Sequence, residues 1–174
     1  VQMDKEEWIS YRNRLETSAR IGAEEYGLTV GIHAHAAGFM DFEPELERLL
    51  SEVDDNILKI CFDTGHHSYA GFDPVKFVQK YISRISYVHF KDVNPEIKQK
   101  VIENRTGFYD ACGQGIFCNL GDGDVDFPTV RKILIESEFK GWCTVEQDCD
   151  PLLDPNPLSD AQVNREYLET IGFS

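Results

Sequence analysis

Basic residues are scarce in this chain of 174 residues. Lys and Arg total 17 against 31 Asp and Glu, a formal net charge of −14. A nucleic-acid backbone or an anionic membrane surface would be repelled, so neither is expected as a partner. A neutral sugar or a divalent cation is not excluded, and much of the acidic excess reads as solvated surface. Cysteine is sparse and unpatterned. Cys61, Cys112, Cys118, Cys143 and Cys149 make an odd count without a C-x-x-C pair, which argues against a zinc finger or a disulfide framework. Cys61 and Cys143 sit in apolar runs and read as small core residues, and reduced thiols fit a cytoplasmic setting. No apolar run approaches the length of a membrane span. The opening segment VQMDKEEWISYR is charged and aromatic, unlike a secretory leader. Short-period repeats, low-complexity tracts and obvious linkers are also missing, which points to a single domain over 1–174.

What is present is an alternation of strands and helices. Asp4 to Tyr26 reads as a helix, with Asp4 as N-cap, Trp8, Tyr11, Leu15 and Ala19 at helical spacing, and Gly27 as the stop. The β-rich run LTVGIHAH follows. A helix from Glu43 then carries Leu46, Leu49, Leu50 and Val53 on one face. ILKICFD reads as the second strand, continued by the connection TGHHSYAG. Asp73-Pro74 opens a helix with Val75, Phe77, Val78 and Ile82. ISYVHFKD is the third strand. A longer polar region runs from Val93 to about Gly123, with short helices expected at 95–103 and 108–113. Asp126-Phe127-Pro128 opens the helix bearing Val130, Ile133 and Leu134. GWCTVEQD is the fourth strand. After a proline-rich loop, Ser159 caps a last helix through Ile171. Short strands rich in Val, Ile, Tyr and Phe, more continuous than alternating, are what a helix-covered parallel sheet uses.

The four strand ends share a chemistry. The first ends in His33 and His35; the second in Asp63, then His66 and His67. The third ends in His89, Lys91 and Asp92; the fourth in Glu146, Gln147 and Asp148. All five histidines lie at these ends. In parallel α/β folds the C-terminal strand ends converge on one face, where sites are built. His, Asp, His and Glu from four ends can surround one ion with a mixed N/O shell, which suits Mn²⁺, Co²⁺, Fe²⁺ or Zn²⁺ better than Ca²⁺. His33 and His35 have the same strand parity, so either can be the first donor. His67 adjoins His66 and is expected to point away. Asp148 and Asp150 read as loop acids. Asp122, Asp124 and Asp126 read as turn and cap residues, because the EF-hand spacing is absent.

On DTGH, YVHFKDVNPEI, GIFCNLGDGDVDFP and GWCTVEQD, the chain from about Gly27 to Gly172 resembles the xylose isomerase-like TIM-barrel superfamily of sugar isomerases, epimerases and dehydratases. Within it the likeness is to the inosose dehydratase branch. DTGH is shared widely there, whereas VHFKDV with FCNLGDGDVDF and VEQD is more specific to that branch. The resemblance implies an α/β (β/α) TIM barrel with a divalent metal at four strand ends, here His33, Asp63, His89 and Glu146. Mn²⁺ or Co²⁺ comes first, with Mg²⁺, Fe²⁺ or Zn²⁺ as alternatives. It implies that His66 contacts substrate oxygens, with Lys91 and Asp92 as polar contacts at the same rim. Glu146, His35 and His66 are the candidate proton-transfer groups. Related epimerases use two ligand carboxylates as opposed bases. His33 replaces one of them, which favours a dehydratase on a keto-polyol such as 2-keto-myo-inositol over isomerase or epimerase chemistry, or over a non-catalytic sugar-binding barrel. A closed barrel typically takes about 250 residues. Four β/α units therefore amount to its C-terminal half, expected to belong to a longer chain or, alternatively, to be completed by a second copy.

Overall fold

The computed structural model describes residues 3–38, 40–150, 152 and 156–173. Helix α1 spans Lys5–Tyr26, and Asp4 caps it in a box with Glu7. Gly27 ends it in the left-handed conformation at φ 65°, where a glycine is unstrained. Strand β1 is only Gly31–His33, shorter than LTVGIHAH suggested. Helix α2, Glu43–Glu52, buries Leu46, Leu49 and Leu50, and strand β2 is Lys59–Asp63. TGHHSY, expected as a connection, folds into a short helix α3, Thr64–Tyr69, which Asp63 caps. Helix α4, Pro74–Tyr81, starts under the Asp73 cap.

The expected strand ISYVHFKD divides into β3, Ile85–Phe90, and β4, Asp92–Val93. Helices α5, Pro95–Asn104, and α6, Phe108–Gly113, lie within one residue of expectation. They lead to β5, Phe117–Cys118, which pairs antiparallel with β4. Helix α7 is Phe127–Glu136, capped by Asp126, and β6 is Trp142–Val145. Helix α8 is Pro157–Thr170. Its N-cap position is Asn156, not Ser159, which lies inside the first turn because Pro157 already has the φ that a first helical position needs. The proline-rich loop before it falls partly outside the described residues.

Four strands form one parallel sheet in the order β1-β2-β3-β6. The strands alternate more strictly than their composition suggested. Ile32, Ile60, Phe62, Val88 and Phe90 pack under the helices with Leu46, Leu49, Phe77, Val130 and Leu134 in one apolar core. The opposite parity (Gly31 and His33, Cys61 and Asp63, Tyr87 and His89, Trp142 and Thr144) lies on the other, concave face. Cys61 is therefore not core: it lines a hollow on that face with Tyr87, His89 and Trp142. Four parallel strands alternating with helices are four β/α units of a TIM barrel, with β1 and β6 at the sheet's edges.

Candidate active site

The strand register sets the site. Asp63 stands opposite His89 across β2–β3, and His33 stands opposite Cys61 across β1–β2. Three ring and carboxylate atoms meet above these ends. His33 Nε2 and His89 Nδ1 each lie 3.6 Å from Asp63 Oδ2, and His89 Nδ1 is 2.6 Å from Glu146 Oε2. His33 Nε2, Asp63 Oδ2 and His89 Nδ1 are buried and have no hydrogen-bond partner among the described residues; the close approach to Glu146 lacks hydrogen-bond alignment. Buried polar atoms are rarely left so. Separations of 3.6 Å are too long for a hydrogen bond. They are close to the roughly 3.0–3.4 Å between two atoms that each sit about 2.1 Å from one ion. His33, Asp63 and His89 thus have the spacing of a metal cradle.

Asp63 divides its work. Oδ1 accepts the His66 N–H at 2.8 Å and caps α3, which leaves Oδ2 turned to the cluster. Burial would raise this carboxyl, but His33, His89 and Lys91 around it hold it well below the usual carboxylate range. The neighbouring Asp63 carboxylate raises His89, against the effect of burial. The other ring nitrogen of His89 faces Cys61 Sγ at 3.5 Å.

His35 does not join this cluster. Its Nδ1 is 2.7 Å from the Ala36 carbonyl, an acceptor only, so in the neutral ring Nδ1 carries the proton and Nε2 the lone pair. Its ring packs on His66 at 3.8 Å between centroids, and both rings meet Phe108 of α6. His66 is almost wholly buried, and burial lowers its pKa to about 3, so its imidazole is neutral near pH 7. His67 points away as expected, although on helix α3 and not on an extended segment: its Nε2 reaches Glu43 at 3.2 Å, and its ring lies among Phe62, Phe72 and Phe77.

Lys91, expected at the rim, is completely buried, with its ammonium among the side chains of the cluster. Its Nζ donates to His66 Nε2 and Glu146 Oε1 at 2.9 Å and to Asp148 Oδ2 at 3.0 Å, and lies 3.4 Å from Asp63 Oδ2. Burial would lower this amine, but the carboxylates of Asp63, Glu146 and Asp148 outweigh it and leave the pKa raised. The motif after Asp63 builds the cradle. Thr64 Oγ1 donates to the Lys91 carbonyl at 2.7 Å and accepts its N–H at 3.0 Å. Gly65 makes room for the lysine stem, since a Cβ there would run into Lys91 Cγ. Asp148, read as a loop acid, is thus a site residue. Its place at the fourth strand end marked it, but its contact with Lys91, 57 residues away, is not visible locally.

Asp92 also departs from expectation. It is fully buried, and its two oxygens accept the backbone N–H groups of Val93, Gly121, Gly123 and Val125. That holds GDGDV against β4 and leaves no rim contact. Asp126 caps α7 as expected, while Asp124 ties Ser68 and Lys98 together.

Residues 2–171 match the family described as xylose isomerase-like TIM barrel. An inosose dehydratase of Clostridium botulinum (strain Alaska E43 / Type E3) is 36% identical over 166 residues, covering 95% of this chain and 55% of that protein. One of Geobacillus kaustophilus (strain HTA426) is 34% identical over 165 residues, covering 95% and 53%. The chain therefore spans about half the length of the curated relatives it matches. Among solved structures, the probable 3-DHS dehydratase AsbF of Bacillus anthracis superposes with a TM-score of 0.76 at 22% identity, covering 97% of this chain and 58% of that one. The IolI protein with a bound zinc atom gives 0.72 at 17% identity, covering 100% and 60%. At these identities the two structures speak for the fold.

Proposed function

The chain belongs to the xylose isomerase-like TIM barrel family, and from that membership we propose that it carries the metal-holding part of a dehydratase acting on a cyclic keto-polyol of the 2-keto-myo-inositol type. The observation that carries the reading is the meeting of His33 Nε2, Asp63 Oδ2 and His89 Nδ1 beside Glu146 as buried atoms without a hydrogen-bond partner among the described residues. The relatives named inosose dehydratase, aligned over 95% of the chain, supply the substrate class. His33, Asp63, His89 and Glu146 would hold the ion, with Mn²⁺ or Co²⁺ preferred for a mixed imidazole and carboxylate shell. Bound there, a divalent ion would supply Lewis-acid polarisation of the substrate ketone and of the negative charge that grows on its oxygen.

The chain's own groups divide the proton work. The α C–H bond breaks, the β C–O bond breaks, a C=C bond forms and water leaves. His35 Nε2, with its lone pair fixed by the Nδ1–H bond to Ala36, takes the α-proton and returns it to the departing hydroxyl. Glu146 is the alternative base, held by Lys91 at Oε1. Neutral His66 contributes polar contact and orientation rather than an acidic proton. An imidazole at His33 removes one of the two carboxylates that a two-base epimerisation needs. The test is the full-length protein with Mn²⁺ or Co²⁺ on 2-keto-myo-inositol in D₂O. Water loss that stops on chelation is expected. Deuterium uptake without water loss would instead place the chain among isomerases, and binding with neither would make it a sugar-binding barrel.

A further inference from the structure

Among the described residues, three overlapping groups of metal-spaced donors crowd these strand ends. Besides His33, Asp63 and His89 there are His35, His66 and Asp148, and Asp63, His66 and Glu146. So many donors can serve more than one ion. Lys91 Nζ stands among the additional ones, touching His66, Glu146 and Asp148 and lying 3.4 Å from Asp63. We infer that Lys91 is the built-in second cation of this site: its ammonium fills the place a second divalent ion would take and so limits the centre to one ion. The inference rests on the metal reading proposed above.

The charge count supports it. Asp63, Glu146 and Asp148 bring three negative charges around Lys91. One divalent ion and one ammonium neutralise them, and buried charge left uncompensated is strongly unfavourable. The surrounding chain builds the lysine in. Thr64 clamps its backbone from both sides, and Gly65 leaves the gap through which the stem passes. Lys91 is completely buried, so the fold delivers its charge to this point and not to solvent. An amine cannot leave with product or be chelated, so the arrangement separates a permanent charge from an exchangeable one.

The test is ion stoichiometry on metal-stripped full-length protein, by titration calorimetry with Mn²⁺ and by elemental analysis after gel filtration. Wild type and Lys91→Arg should each bind one ion. In Lys91→Met one ion leaves a negative charge uncompensated at the vacated place, so a second ion should bind there, more weakly than the first because it overshoots the balance by one charge, and the first should bind at least about tenfold more tightly because a nearby positive charge is gone. If Lys91→Met alone does not fold, Lys91→Met/Asp148→Asn has balanced charge and should bind one ion. Two ions in that double variant would overturn the charge count. One ion in wild type and still one, at unchanged affinity, in Lys91→Met overturns the role of Lys91 alone. No ion in the wild type overturns the metal reading and this inference together.

Discussion

At the scale of single residues, the proposed site depends on how each polar atom is occupied. Glu146 is held at Oε1 by Lys91 and approaches His89 with Oε2. Glu146→Gln keeps the shape but loses the charge, and should cost at least about 100-fold in metal affinity or turnover, since even residues behind a ligand are worth 10–100-fold. Metal content measured beside the rate checks this; full activity with intact metal would remove Glu146 from the mechanism. Gly65 is a second sensitive point. Gly65→Ala drives a Cβ into the Lys91 stem. It should lower the unfolding free energy by about 1–3 kcal/mol in urea titration, the usual cost of overpacking a filled core. That His33, Asp63, His89 and Glu146 lie close together was legible in the sequence, because strand ends in parallel folds point to one face; their role as ligands is the proposal above. The choice between His33 and His35 was not, because both share one parity. The end of β1 at His33 separates them: His35 rides on the turn toward His66 and Phe108. Lys91 and Asp92 were misplaced because their burial arises from partners far along the chain.

At the scale of elements, helices α2, α4 and α7 follow from apolar residues at helical spacing and a proline in the first turn. Helix α3 does not, since its six residues TGHHSY carry no apolar period, and it exists because Asp63 caps it and Thr64 anchors it to Lys91. The β4–β5 pair is equally silent, being two residues on each side held by Asp92. Helix α3 also carries a pH dependence. Burial lowers the pKa of His67 to about 4, against an unfolded value near 6.5. As pH falls below 6.5, the unfolded chain takes up this proton before the folded one does. The stability contributed by neutral His67 is thus full above pH 6.5, falls between 6.5 and 4, and is lost below that. The side chain is nearly buried, so the loss is on the order of 3 kcal/mol at most. His67→Phe, set among Phe62, Phe72 and Phe77, should flatten this part of the profile. Urea unfolding at pH 7.5 and 4.5 for both proteins measures the difference; an unchanged pH slope in the variant would mean His67 titrates normally.

At the scale of the whole molecule, the sheet has two faces of different character. One is sealed by helices, while the other carries Cys61, Tyr87 and Trp142, the last 77% exposed, around a hollow of about 490 Å³. In a closed barrel such residues fill the interior or line its mouth. The edge strands β1 and β6 offer unpaired backbone groups, which in other proteins are covered or lead to association. We propose that further strands complete this barrel, in keeping with relatives of about twice the aligned length. A polypeptide limited to residues 1–174 should then self-associate as concentration rises in sedimentation experiments. The emission of Trp142, isolated by difference from Trp142→Phe, should be that of a solvated indole. In a chain that supplies the remaining strands, the same emission should shift to the blue and the edge amides of β1 and β6 should gain protection from hydrogen exchange. A monomeric 1–174 polypeptide that binds one ion and turns over substrate unaided would show that four units suffice, and the closed-barrel proposal would fall.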